Sequence, residues 1–189
     1  MARLSKSQTS LDSLFFSTPE QKLIRLLLNH PQTSFTPRVI CSKLKGVRGL
    51  GGAEGVTQIL EDFKKLGLVD FISNDRAVRI QDDNPLVRKL QVFATICNFE
   101  SLTETLRPIS NRGILFENKN ARVGSLEEGY DLFVVSDNPE EVKKAAGRHP
   151  LGRSIELIAW TPELYSEIQT QDQGLFLKIS NGIVLWNNY

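Results

Sequence analysis

Apolar residues return at three- and four-residue spacing along the first third of the chain, the period of helices with one buried face. Leu23, Ile24, Leu27 and Leu28 form the first stripe. Thr18-Pro19-Glu20 opens it with a capping hydroxyl, a proline at the first helical position and an acid facing the macrodipole, and His30-Pro31 closes it. A second start at Ser34 or Thr36-Pro37 leads into Val39, Ile40 and Leu44, after which the glycine-rich stretch Gly46 to Gly55 turns the chain. A third helix is expected from about Ala53 to Leu66, with Val56, Ile59, Leu60 and Phe63 on its buried face and Gly67 as its stop. Three short helices are thus expected before any strand.

Beyond Gly67, Leu68 to Ile72 reads as a strand, Ser73-Asn74-Asp75 as a turn and Arg76 to Ile80 as a returning strand. Three helices followed by a hairpin is the order of a winged helix-turn-helix, expected over residues 12–84 behind a loose polar tail, 1–11. In such a fold the third helix enters the major groove and the hairpin touches the backbone beside it. Opposite its apolar stripe the third helix shows Glu54, Thr57, Gln58, Glu61 and Lys65. Glutamine can read adenine and glutamate can accept from cytosine, while Thr57, Lys64 and Lys65 suit phosphates. Arg48, Arg76 and Arg79 are the stronger candidates for backbone contacts, because two acids on the reading face oppose a polyanion. The competing reading makes Glu61 and Lys65 an exposed i,i+4 pair.

Asp82-Asp83-Asn84-Pro85 closes this domain and caps a junction helix expected from Leu86 to about Leu106, opening a second domain over 85–189. Leu86, Leu90, Phe93 and Cys97 share a stripe that Leu102 and Leu106 continue with a small drift. Packing under the second domain is the favoured use of that stripe, and a dimer seam the other. From Arg107-Pro108 onward strands alternate with helices. Gly113–Phe116, Leu132–Val135 and Ile155–Trp160 read as central strands of a small mixed sheet. Asn138-Pro139-Glu140 and Thr161-Pro162-Glu163 start the helices between them, Leu175–Ile179 is the last helix, and Ile183–Trp186 is an edge strand. The fold class is therefore α+β.

An apolar content of 40% with 24% charge suits a water-soluble globular protein, and Leu23–Leu28, broken by Arg25, is far too short to span a bilayer. Arg3 and Lys6 precede no apolar run, since Asp12 interrupts it, so no secretory leader is expected and the cytoplasm is the expected compartment. Cys41 and Cys97 lie in helical patterns as small apolar groups, implying neither disulfide nor zinc. His30 and His149 each precede proline and read as element ends. Residues 1–85 hold 12 Lys/Arg against 9 Asp/Glu and the remainder 11 against 13, which tilts nucleic-acid affinity toward the N-terminal half.

Ile114-Leu115-Phe116, then a polar gap, then Tyr130-Asp131-Leu132-Phe133-Val134-Val135-Ser136-Asp137 resembles the minimal nucleotidyltransferase domain of the polymerase-beta superfamily. Ile155-Glu156-Leu157-Ile158 with Thr161-Pro162-Glu163 resembles its third-acid strand and following helix, and Gly182-Ile183-Val184-Leu185 its ending. With the N-terminal reader and the Asn84-Pro85-Leu86 junction, nearly the whole chain after Leu11 resembles prokaryotic regulators that join such a domain to a winged helix. The resemblance implies three carboxylates holding two divalent metals that activate a hydroxyl and neutralise pyrophosphate. Here Gly129-Tyr130-Asp131 stands where the family has Asp-x-Asp, so the first ligand is missing, and Glu128 points to the other face of the strand. Glu117-Asn118 stands where the family has Gly-Ser, placing a carboxylate where phosphates should lie. Asp131 and Glu156 remain as a vestigial pair able to hold one weak magnesium, with no other cofactor expected. The structural alternative makes both ordinary polar residues at strand ends.

These readings add up to a homodimeric transcriptional regulator that binds duplex DNA and uses a catalytically degenerate second domain for dimerisation, partner docking or ligand sensing. Two rivals stand beside it. One is an active nucleotidyltransferase modifying protein, RNA or a small molecule; the other is a toxin–antitoxin component that docks a partner protein.

Overall fold

The Thr-Pro and Asn-Pro starts become helix N-termini in the computed structural model, which describes residues 9–72, 74, 76–117 and 129–188. Thr18, Thr36, Asn138 and Thr161 each accept a hydrogen bond from the backbone N–H three residues on, satisfying a donor that the helix leaves without a partner. At Thr18 the cap is reciprocal, because Gln21 Oε1 accepts from the Thr18 N–H at 3.0 Å. The chain is α+β and divides into two units, Met1–Cys97 and Asn98–Tyr189. Among the described residues no helix is long and apolar enough to cross a membrane.

The first unit contains α1 (Leu11–Phe15), α2 (Pro19–Leu28), α3 (Pro37–Lys43), α4 (Gly52–Lys65), the hairpin β1 (Val69–Ile72) and β2 (Ala77–Ile80), and α5 (Pro85–Asn98). Four helices, not three, precede the first strand, and the end of the expected tail is helical. Distant contacts hold α1 in place. Arg25, its side chain only 10% exposed, donates through Nε to Asp12 at 2.7 Å and through Nη1 to Asn29 at 2.6 Å and to the Ala94 carbonyl at 3.1 Å. Its guanidinium lies 5.0 Å from the Phe16 ring centre, and Phe15 meets Phe93 edge-on. Leu23, Leu27, Leu28, Ile40, Val56, Leu60 and Val78 are wholly buried or nearly so and form the core.

The junction helix expected over 86–106 is broken. It runs as α5 to Asn98, and α6 (Glu100–Leu106) begins after Phe99, which leaves helical geometry at φ −92°, ψ 3°. Phe99 is fully buried with Leu102 and Leu106 in the second unit's core, and that burial outweighs helix continuity. The boundary accordingly falls after Cys97 and not after Asn84, and α5 buries Val87, Ala94, Thr95 and Cys97 while Leu86 is 55% exposed. With Ala94 and Phe93 bound to α2 and α1 respectively, α5 belongs to the first unit.

The second unit is a mixed sheet with helices on both faces. β3 (Arg112–Glu117), β4 (Tyr130–Val135), β5 (Leu157–Trp160) and β6 (Ile183–Asn187) lie in the order β5-β4-β3-β6, with only β4 and β5 parallel. One face packs Leu115, Leu132, Val134, Ala159 and Trp186 against α6 and α7 (Pro139–Arg148). The other packs Ile114, Phe116, Phe133 and Val135 against the segment of α8 (Pro162–Ser166), α9 (Ile168–Gln171) and α10 (Gln173–Ser180). The run at 155–160 is an edge strand and not a central one, which is why Leu157, Ile158 and Trp160 are only half-buried. Gly113 is glycine because the Trp186 ring fills the place of its Cβ, and the Trp186 indole donates to Ser110 Oγ at 3.1 Å.

Candidate functional site

In the first unit α3, a glycine-rich turn, α4 and the hairpin form one surface. The turn holds Gly49 at φ 90° and Gly51 at φ 66°, a conformation that disfavours any residue with a Cβ. Gly51 is the N-cap of α4 and supplies no side chain to it. The hairpin is fastened to the entry of α3 by a two-way backbone bridge: the Phe35 N–H donates to the Val78 carbonyl at 2.9 Å, and the Val78 N–H donates to the Phe35 carbonyl at 2.8 Å. Nothing in the helical periodicity announced this short third strand position.

The sequence-predicted contacts sort into engaged and open side chains. Thr57 is turned back on its own helix, its Oγ1 donating to the Ala53 carbonyl at 2.9 Å. Lys64 lies 5.0 Å from the Phe71 ring centre. Lys65 pairs at 2.8 Å with Asp62, three residues back, and not with Glu61 as the i,i+4 reading had it. The Asp62 hydrogen bond and charge, with a smaller contribution from Glu61, raise the Lys65 ammonium above its ordinary pKa. These three are therefore less suited to phosphates than their types suggested. Gln58, Arg48, Arg76 and Arg79 are exposed, as are Glu54 and Glu61.

Three cations were missed. Arg38, Lys43 and Lys45 are exposed on α3 and the turn next to Arg48, and among the described residues none of the four is in an ion pair. A signal for them existed: from Gln21 to Ala53 the chain has no Asp or Glu at all. Averaging charge over half the chain hid it. Lys43 also lies 5.8 Å from the Phe35 ring centre.

In the second unit Asp131 is buried at 7% exposure on β4, opposite Phe116 and on the face of the sheet that carries Phe133 and Val135. Glu156 immediately precedes β5, and its carbonyl accepts from the Leu132 N–H at 2.9 Å. Since Leu132 is in register with Leu157, Asp131 and Glu156 occupy matching positions at the starts of two parallel strands, with Glu156 exposed. Gly129, where a third acid would stand, lies at the entrance to β4, and a Cβ there would meet nothing within 4 Å. Glu117 corrects an expectation. It is the last residue of β3, opposite Tyr130, so its carboxylate falls on the other face of the sheet from Asp131 and does not sit in a phosphate turn beside it. Asn118 and Glu128 lie outside the described residues.

Among the described residues no three His, Cys, Asp or Glu side chains converge as metal ligands. A groove of 590 Å³ elsewhere on this unit is lined by Thr105 and Ile109 on one side and by Asn138, Glu141, Lys144 and Arg148 on the other; it includes neither Asp131 nor Glu156. Compared with known proteins, the chain matches no family model, no curated sequence and no solved structure.

Proposed function

We propose that this protein is a transcriptional regulator of the cytoplasm whose first unit binds duplex DNA as a winged helix-turn-helix. The observation that carries the reading is the group of exposed cations Arg38, Lys43, Lys45 and Arg48, none in an ion pair among the described residues, on α3 and the turn within a stretch, 21–53, that holds no Asp or Glu. The hairpin adds the exposed Arg76 and Arg79. Such a surface attracts a polyanion by releasing condensed counterions, so affinity follows salt more than sequence. If all six cations meet phosphates, log affinity falls against log salt with a slope of about −5. Fluorescence anisotropy with a labelled duplex across a salt series tests this. Replacing Arg38 and Arg48 together, or Arg76 and Arg79 together, shallows the slope by about 2. No duplex binding by the intact chain at low salt refutes the reading.

The second unit, in this reading, is a nucleotidyltransferase-like scaffold without the full carboxylate set, serving assembly, partner docking or ligand sensing. A homodimer suits a reader of paired half-sites, and Leu14, Phe15 and Leu86 are exposed apolar residues available to it. Sedimentation at micromolar concentration, with and without duplex, tests that part. A second reading, nucleotidyl transfer, draws on the matched positions of Asp131 and Glu156, which could hold one magnesium.

A further inference from the structure

The outward stripe of α4 carries Glu54, Gln58 and Glu61, with the Lys65 ammonium on the same face held by Asp62. Glu54, Gln58 and Glu61 are four and three residues apart, which places them on one face opposite the buried Val56, Leu60 and Phe63. All three are exposed, and none of their side chains makes a hydrogen bond or ion pair within the described residues, whereas the side chains of the neighbouring Thr57, Lys64 and Lys65 are each engaged by the protein itself. Apart from the Lys65 ammonium, already paired with Asp62, this helix offers a ligand two carboxylates flanking one amide.

Resting on the reading that the first unit binds duplex DNA, we propose that α4 selects its site by the exocyclic amino groups of adenine and cytosine in the major groove. The donor and acceptor pattern of that groove supplies the reason. Guanine presents N7 and O6, and thymine presents O4, all acceptors that repel a carboxylate; the only donors are the adenine N6 and cytosine N4 amino groups. A glutamate brought to a base edge is stable only against one of these, and Gln58 takes adenine through both its amide groups. At about 1.5 Å rise per residue, Glu54 and Glu61 are separated by about 10 Å along the helix axis, enough to serve bases a few steps apart. The cations of α3 and the turn hold the backbone and offset the repulsion between these carboxylates and the phosphates. The acids on the reading face, which weaken attraction to DNA in general, thereby become the source of discrimination.

Selection from a randomised duplex pool by the full chain, at a salt concentration where bulk binding is just retained, is expected to enrich adenine or cytosine on one strand at the positions under α4. In the selected duplex, N6-methyladenine or N4-methylcytosine then replaces those bases one at a time. Pairing turns the added methyl toward the major groove and removes the donor hydrogen, so affinity falls roughly ten-fold at each position read. Glu61→Ala and Glu54→Ala remove the acceptor that meets the amino group, so neither the base nor its methyl group is read at that position. The discrimination at the matching position then shrinks to about two-fold while the salt slope stays within about 1 of its former value. Binding without adenine or cytosine enrichment, or enrichment indifferent to the methyl groups, overturns this inference and leaves the DNA-binding reading standing. No binding to any duplex overturns both.

Discussion

Alanine in place of glycine inside a helix ordinarily stabilises a protein by about 1 kcal/mol, through better helix propensity and a less free unfolded chain. Gly55 reverses that sign. It lies in α4 where the turn from α3 comes closest, and a Cβ there would stand 2.9 Å from the Leu50 carbonyl carbon and nearer still to its oxygen. Ordinary contacts begin near 3.4 Å, and the obstacle is backbone, with no rotamer to swing away. Leu50 is itself buried at 5% exposure, so the turn cannot simply lift. Overpacking of this kind costs about 1–3 kcal/mol, and immovable backbone puts Gly55→Ala at the upper end. Subtracting the propensity gain of about 1 kcal/mol leaves a net loss of about 2 kcal/mol. Gly147, in α7, is the matched control, since a Cβ there would meet nothing within 4 Å. Gly147→Ala should stabilise by about 0.5–1 kcal/mol. Both tryptophans, Trp160 and Trp186, belong to the second unit, so urea titration followed by tryptophan fluorescence reads Gly147→Ala and far-ultraviolet circular dichroism reads Gly55→Ala. The displaced turn carries Arg48, so duplex affinity should fall with it. A Gly55→Ala chain as stable as the parent would show that the α3–α4 approach is looser than described.

Arg25→Ala removes the hydrogen bonds of a nearly buried guanidinium to Asp12, Asn29 and the Ala94 carbonyl and should destabilise the first unit by about 2 kcal/mol, most of it recovered by neither Lys nor Met, as read by denaturant midpoint. His149 accepts the Leu151 N–H at Nδ1, 3.2 Å away, and burial lowers its pKa below the ordinary value of 6.5. The unfolded chain then binds the proton more readily than the folded one, so this stabilisation is present above that ordinary value and is lost as pH falls through the folded value. Acid titration of tryptophan fluorescence should show the loss, and His149→Asn should flatten it. Incubation with magnesium or manganese, labelled nucleoside triphosphates and cell extract is expected to transfer no label to protein or RNA; transfer that Asp131→Ala abolishes would refute the degenerate reading. Gly129→Asp should tighten magnesium binding in calorimetry by adding a carboxylate two residues before Asp131, and an unchanged affinity would mean that the new side chain does not join Asp131 and Glu156.

What the sequence disclosed was mostly local. A Thr-Pro or Asn-Pro start needs only its own next three residues, so α2, α3, α7 and α8 were legible at their first turns. The hairpin followed from its turn residues, and Asn74 takes φ 56°, which asparagine tolerates. Elements held by distant partners were not legible. α1 depends on Arg25 and Phe93, and the break at Phe99 depends on which core receives that ring. The edge position of β5 is a matter of topology, which an apolar run cannot state. At the candidate interface, residue type nominated Thr57, Lys64 and Lys65, but the partners that occupy them, Ala53, Phe71 and Asp62, emerge only when the helix and hairpin are placed. The carboxylate pair was readable as two acids at strand starts, whereas the side of the sheet taken by Glu117 required the register.

The two-way bridge between Phe35 and Val78 also governs the order in which this unit can assemble and how short it can be made. α2, α3 and α4 can form turn by turn from nearby contacts as the chain emerges. The bridge cannot close until the whole of α3, α4 and β1 has been synthesised and folded back, because its second half lies on the returning strand. Until then Phe35, destined to be 5% exposed, can be buried only by leaving its N–H and carbonyl without partners, at about 1–3 kcal/mol for each group. An N-terminal fragment that stops short of Val78 would therefore be caught as a loosely joined set of helices that binds hydrophobic dye, and a fragment meant to stand alone must continue past Ile80 and through Ala94, whose carbonyl accepts from Arg25.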